Sequence, residues 1–199
     1  MSTARRQDAH PAGFDFTLHM RRLCEDMTDR LPELRHIDPS RVAISFSQAR
    51  KNTRHGVFAS LTPMRFADGG THTIRRGRKW SVQRLRAASG REMLYILDFC
   101  LPRFLDLPFG DKLTTVVHEL WHISPLFNGD VRRYEGRYYA HSASGDHDEQ
   151  ASRLTRKWLA LEPPASLYDF LHCSFRQLCE LHGGIHGRKI PSPKLFPVE

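Results

Sequence analysis

The chain has 199 residues, 40% of them hydrophobic, and 30 Lys and Arg against 22 Asp and Glu, for a formal net charge of +8. That is enough apolar material for one sizeable core and argues against global disorder, and no apolar run approaches the roughly 20 residues of a membrane-spanning helix. Four scattered cysteines without a CxxC pair argue against a disulfide framework and leave buried, reduced thiols as the expectation.

Residues 1–13 are polar, contain Pro11 and Gly13, and read as a flexible tail. No apolar stretch resembling a secretory leader follows the first residues, so a cytoplasmic location is expected. From Phe14 to about Leu34, the apolar residues Phe14, Leu18, Leu23, Met27 and Leu31 predict an amphipathic helix. Beyond Pro39, Val42, Ile44 and Phe46 alternate with Ala43, Ser45 and Ser47 as a strand does, and Val57, Ala59 and Leu61 continue the pattern in a second one. Asp68-Gly69-Gly70 is a turn signal, after which Thr71 to Arg86 reads as a basic hairpin or strand. Arg91 to Cys100 reads as a more buried strand.

Asp111 is a plausible N-cap for a helix carrying Leu113, Val116, Val117, Leu120 and Trp121 at helical spacing, which Pro125 stops by about Ile123. Asn128-Gly129-Asp130 is a turn, and Gly136 to His141 reads as a short extended piece. Asp146 to Leu161 predicts a helix ended by Pro163-Pro164, and a last helix runs from about Ser166 to His182, closed by Gly183-Gly184. Residues 14–187 thus read as a single domain, followed by a Pro-rich basic tail at 188–199. The order of helix, several strands and then helices predicts an α+β fold with an antiparallel or mixed sheet.

Twelve histidines prompt a search for a metal site, and His118-Glu119-Leu120-Trp121-His122 spells HExxH within a predicted helix. Spacing i, i+4 sets the two imidazoles one turn apart on one face, where both can reach a single Zn²⁺. Glu119 is placed to take a proton from a metal-bound water. A catalytic zinc also needs a third protein ligand and an open position. His141 ranks first for that role because the helix has ended and the chain has room to come back; His147 and Glu149 rank next, then Asp130. Tyr134, Tyr138, Tyr139, Arg132, Arg133 and Arg137 are near enough in sequence to donate to a substrate carbonyl, and none is singled out.

His118-Glu-Leu-Trp-His122 makes the chain similar to a zincin-type (HExxH) metallopeptidase. The wider string from His118 to His141, with Ile123-Ser-Pro, Phe127-Asn-Gly-Asp130, Arg132-Arg133 and Gly136-Arg137, resembles a group of bacterial and phage metallopeptidases. The likeness extends upstream through Ser45-Phe-Ser-Gln-Ala-Arg50, His55-Gly-Val, Leu94-Tyr-Ile-Leu and Leu101-Pro-Arg-Phe, and so covers most of the chain. It implies a small zincin-like α+β domain with a sheet beside the HExxH helix, bound Zn²⁺, His118 and His122 as ligands, Glu119 as general base, and a peptide or protein substrate. The chain departs from the HExxHxxGxxH pattern, with Phe127-Asn128 in that stretch. It departs also from the class whose third ligand is a glutamate about twenty residues on, since the residue near that distance is His141. The third ligand stays open.

The expected activity is therefore zinc-dependent hydrolysis, most readily of peptide bonds. A competing reading comes from Arg75, Arg76, Arg78, Lys79, Arg84, Arg86 and Arg91, a run free of acidic residues with Trp80 inside it. Arg75, Arg76, Arg78 and Lys79 suit weak, salt-dependent binding of nucleic acid, with the metal site then structural or accessory; the alternative is a solvated strand face. His172, Cys173, Cys179, His182 and His186 fit no familiar metal-finger spacing. No membrane partner is expected.

Overall fold

Asp15 starts the first helix: its carboxylate accepts from the Leu18 N–H, satisfying one of the amides that a helix start leaves without a carbonyl. A computed structural model describes residues 13–48, 56–133 and 144–198. In chain order the elements are β1 (Phe14–Asp15), α1 (Phe16–Arg30), β2 (Val42–Gln48), β3 (Ala59–Pro63), β4 (His72–Arg75), β5 (Arg78–Val82), β6 (Tyr95–Leu101), α2 (Phe109–Trp121), α3 (Ser144–Ala160), α4 (Phe175–His182), β7 (Ile185–His186) and β8 (Leu195–Val198). The α+β expectation holds, with four α-helices and three small sheets among the described residues. No helix among them is long and apolar enough to cross a membrane.

The central sheet has the order β2-β6-β3 and is mixed, with β2 parallel and β3 antiparallel to β6. Strand alternation divides β6 between two clusters. Tyr95, Leu97, Phe99 and Leu101 join the main core, and Ile96 packs with Ala43 and Met64 in a smaller one. The main core takes Met20, Leu23 and Met27 from α1, Val116, Val117 and Leu120 from α2, and Ala151, Leu154 and Trp158 from α3. Trp158 also donates its indole N–H to Asp26 at 2.8 Å, which fixes α3 against α1 without leaving a buried donor unpaired.

Several boundaries differ from the sequence reading. The first helix ends at Arg30, because Pro32 opens a separate 3-10 turn. The buried strand begins at Tyr95. α2 starts at Phe109, so Asp111 is not its N-cap; it lies in the first turn, where a carboxylate still faces the positive helix end. The single helix predicted from Ser166 to His182 is two 3-10 turns and then α4. Ser174 explains the restart: its hydroxyl accepts from the Gln177 N–H while the Gln177 side chain accepts from the Ser174 N–H, a reciprocal capping box. Gly183 ends α4 at φ 75°, as its position implies.

The reading of residues 188–199 as a tail is revised. The Phe46 N–H donates to Arg188 O and the Ile190 N–H to the Ser45 hydroxyl, so this stretch runs beside β2. Further on, β8 pairs antiparallel with β5 and completes the sheet β4-β5-β8. Prolines are compatible with this course because β8 is an edge strand.

Candidate metal centre

The HExxH residues lie where α2 meets both the sheet edge and the next helix. The apolar stripe Leu113, Val116, Val117 and Leu120 is buried, and α2 packs against α3 and edge strand β3. His118 and Glu119 sit in its last turn and His122 is its C-cap. The His118 and His122 Nε2 atoms face each other at 2.9 Å, with ring centroids 4.6 Å apart. His147, buried near the start of α3, brings its ring to 5.1 Å from His122 and 6.1 Å from His118.

With Zn–N at about 2.0–2.1 Å and tetrahedral angles, two ligating imidazoles place their nitrogens about 3.3 Å and their ring centres about 5.2 Å apart. The observed rings depart from that by under about 1 Å in each pair. Among the described residues, no group of three or more His, Cys, Asp or Glu is placed to hold a metal ion as it stands. The three rings are close without having converged, and the donor set fits zinc chemically, being three imidazoles in a largely buried setting.

Asp148 adds orientation. Its carboxylate lies 3.1 Å from His118 Nδ1, where it can accept that N–H and leave the lone pair on Nε2, the atom that faces His122. Nothing in the local pattern flags Asp148. Its partner is on another helix, and only the packing of α3 on α2 makes the pair.

Glu119 is 8% exposed. Burial pushes its carboxyl up to about 7, and a hydrogen bond from the Leu61 backbone N–H opposes part of that rise. The bond follows from the strand pattern. The Cys100 N–H bonds Phe58 O and the Met64 N–H bonds Leu94 O, so alternation turns the amides of Ser60 and Thr62 toward β6 and that of Leu61 toward the open edge. Edge strand β3 thus positions Glu119 by its backbone. Beside His118, Glu119 and Asp148 lies a cleft of about 220 Å³, walled by Phe58, Ala59, Thr114 and Thr115.

Of the other candidates, Glu149 is exposed on α3. The Asp130 carboxylate is engaged away from the histidines. Burial alone raises its pKa, but hydrogen bonds from the Arg133 guanidinium and the Val131 and Asp68 amides hold it below the ordinary aspartate value, and its oxygens are committed to those donors. Arg133 is thereby occupied, and Arg132 donates to Trp121 O while its guanidinium covers the Trp121 ring at 3.7 Å. His141 lies outside the described residues, as do Tyr134, Arg137, Tyr138 and Tyr139.

No family model, curated protein or solved structure matches this chain.

Proposed function

We propose that this protein is a zinc-dependent hydrolase of the zincin type that cleaves peptide bonds. One observation carries the reading: a buried HExxH glutamate stands at an open cleft beside two imidazoles of its own helix, with a third from α3 within reach. His118, His122 and His147 are the residues that hold the metal in this reading. When bound, zinc supplies Lewis-acid polarisation of the scissile carbonyl and acidifies a water. Glu119 takes the proton from the attacking water and delivers it to the departing amine nitrogen. The Leu61 N–H keeps the Glu119 carboxylate aimed at the cleft between the two transfers. Asp148 keeps His118 in the tautomer that offers Nε2.

Elemental analysis of the purified protein and of single variants tests the metal set. His118→Ala, His122→Ala and His147→Ala are each expected to lose zinc, and Glu119→Gln to keep it. Zinc retained in His147→Ala and lost in His141→Ala moves the third position to His141. On an unstructured protein substrate, Glu119→Gln is expected to lose about 10²–10⁴-fold in turnover, the usual contribution of a general base. Full zinc occupancy in His118→Ala or His122→Ala overturns the reading.

A further inference from the structure

The sheet β4-β5-β8 has no role in the proposed hydrolysis, yet it carries the densest positive charge of the chain. Register pairs Arg75 with Arg78, Thr73 with Trp80 and Pro197, and Val82 with Leu195. Paired residues share a face and neighbours along a strand alternate, so Arg75, Arg78, Trp80 and Leu195 project from the same side. With Arg76 from the turn they line a cleft of about 500 Å³.

Of the seven basic residues in this run, three are engaged elsewhere. Arg84 pairs with Glu92 at 3.7 Å, Arg86 donates to Gly90 O, and Arg91 donates to the Ser40 hydroxyl. Among the described residues, Arg75, Arg76, Arg78 and Lys79 form no ion pair with a carboxylate. The turn keeps this charge at a conformational cost. Arg76 and Gly77 have φ of 51° and 71°, a two-residue hairpin loop in which asparagine is favoured at the first position and arginine stands instead.

Three guanidinium groups around one indole suit a polyanion whose repeating unit also carries a flat ring. We propose that this cleft binds single-stranded nucleic acid, with phosphates on Arg75, Arg76 and Arg78 and one base stacked on Trp80. An acidic peptide supplies charge without the ring, and a duplex keeps its bases stacked on one another and away from the indole.

Fluorescence anisotropy with labelled thymidine and uridine oligomers of about 12 nucleotides tests this, a length within the usual single-strand site range. Both oligomers are expected to bind at about 50 mM salt, with log K falling by about 0.7 per phosphate for each unit of log[salt], hence a slope near −2 for three contacts. Trp80→Ala is expected to weaken binding about 5- to 150-fold, and Trp80→Phe to retain most of it, which separates lost stacking from lost folding. Arg76→Asn suits the turn and is expected to flatten the slope by about 0.7. Poly-glutamate is expected to compete poorly. The proposal is overturned if neither oligomer binds at that salt, if Trp80→Ala binds like wild type, or if poly-glutamate or duplex competes as well as the single strand; the arginines then dock an acidic protein or bind duplex backbone.

Discussion

Asp148 is largely exposed and sits beside His147 in the chain, but its contact is with His118 on another helix. An exposed ion pair adds little to stability, so the value of this contact lies in orienting the imidazole. Removing such a carboxylate partner lowers metal affinity by about 10- to 100-fold in comparable sites. Asp148→Ala is therefore expected to weaken zinc binding by that factor in a competitive chelator titration, with an unchanged midpoint of urea unfolding for the apo protein. Unchanged zinc affinity would show that the His118 ring is held by other contacts. Glu119 contrasts with it. Its environment is built from a helix and the backbone of β3, so no side-chain partner in the sequence announces its burial.

The turn that follows α2 is held from several directions. The Ser124 N–H donates to Asp130 O, the Gly129 N–H to the Tyr95 hydroxyl, and the Tyr95 hydroxyl to Asp130 O. Gly129 has φ 88°, and a Cβ there would meet Arg65 Cγ at 2.5 Å, so only glycine suits the approach of this turn to the segment that follows β3. The Asp130 carboxylate joins the turn to the entry of the β4–β5 hairpin through the Asp68 N–H. Asp130→Asn is expected to cost about 2 kcal/mol near neutral pH, the range for hydrogen bonds to a charged group. Because the folded-state pKa lies below the ordinary 3.8, this stabilisation is present above that value and disappears as pH falls through the folded-state pKa. Urea unfolding at several pH values is expected to show wild type and Asp130→Asn converging in acid; a constant gap would exclude the carboxylate as the cause.

Smaller devices act at helix and hairpin ends. Ser174→Ala is expected to lower stability by about 1 kcal/mol through the lost cap of α4. Arg76→Asn is expected to raise it by up to about 1 kcal/mol, because asparagine tolerates the left-handed turn position better. Thermal unfolding of both variants checks these opposite signs.

Across the molecule, the C-terminal segment joins parts that are distant in sequence. It lies along β2 through Arg188 and Ile190, exchanges hydrogen bonds with Gln83 through Lys194, and adds β8 to β5. Deleting residues 188–199 strips the ladder partner from β5 and uncovers the smaller core cluster against which Ile190 packs. The truncated chain is expected to unfold at lower urea concentration with a smaller m-value, since less surface remains to be exposed. An unchanged midpoint would mean that β8 adds no net stability.

The features legible in the linear order are those with a local physical origin. The helical stripe of α2 and its i, i+4 histidines follow from 3.6 residues per turn, and the β2 and β3 alternation from the two-residue strand period. The Gly183 stop follows from the ease with which glycine adopts a left-handed conformation. The parallel pairing of β2 with β6, the return of β8, the approach of His147 and Asp148 to His118, and the hydrogen bond from the Asp68 N–H to Asp130 are not of this kind. Each joins, or becomes selective through, groups that meet only when apolar faces of separate elements bury each other. The free energy of that burial is summed over the whole core, and no short window of sequence contains it.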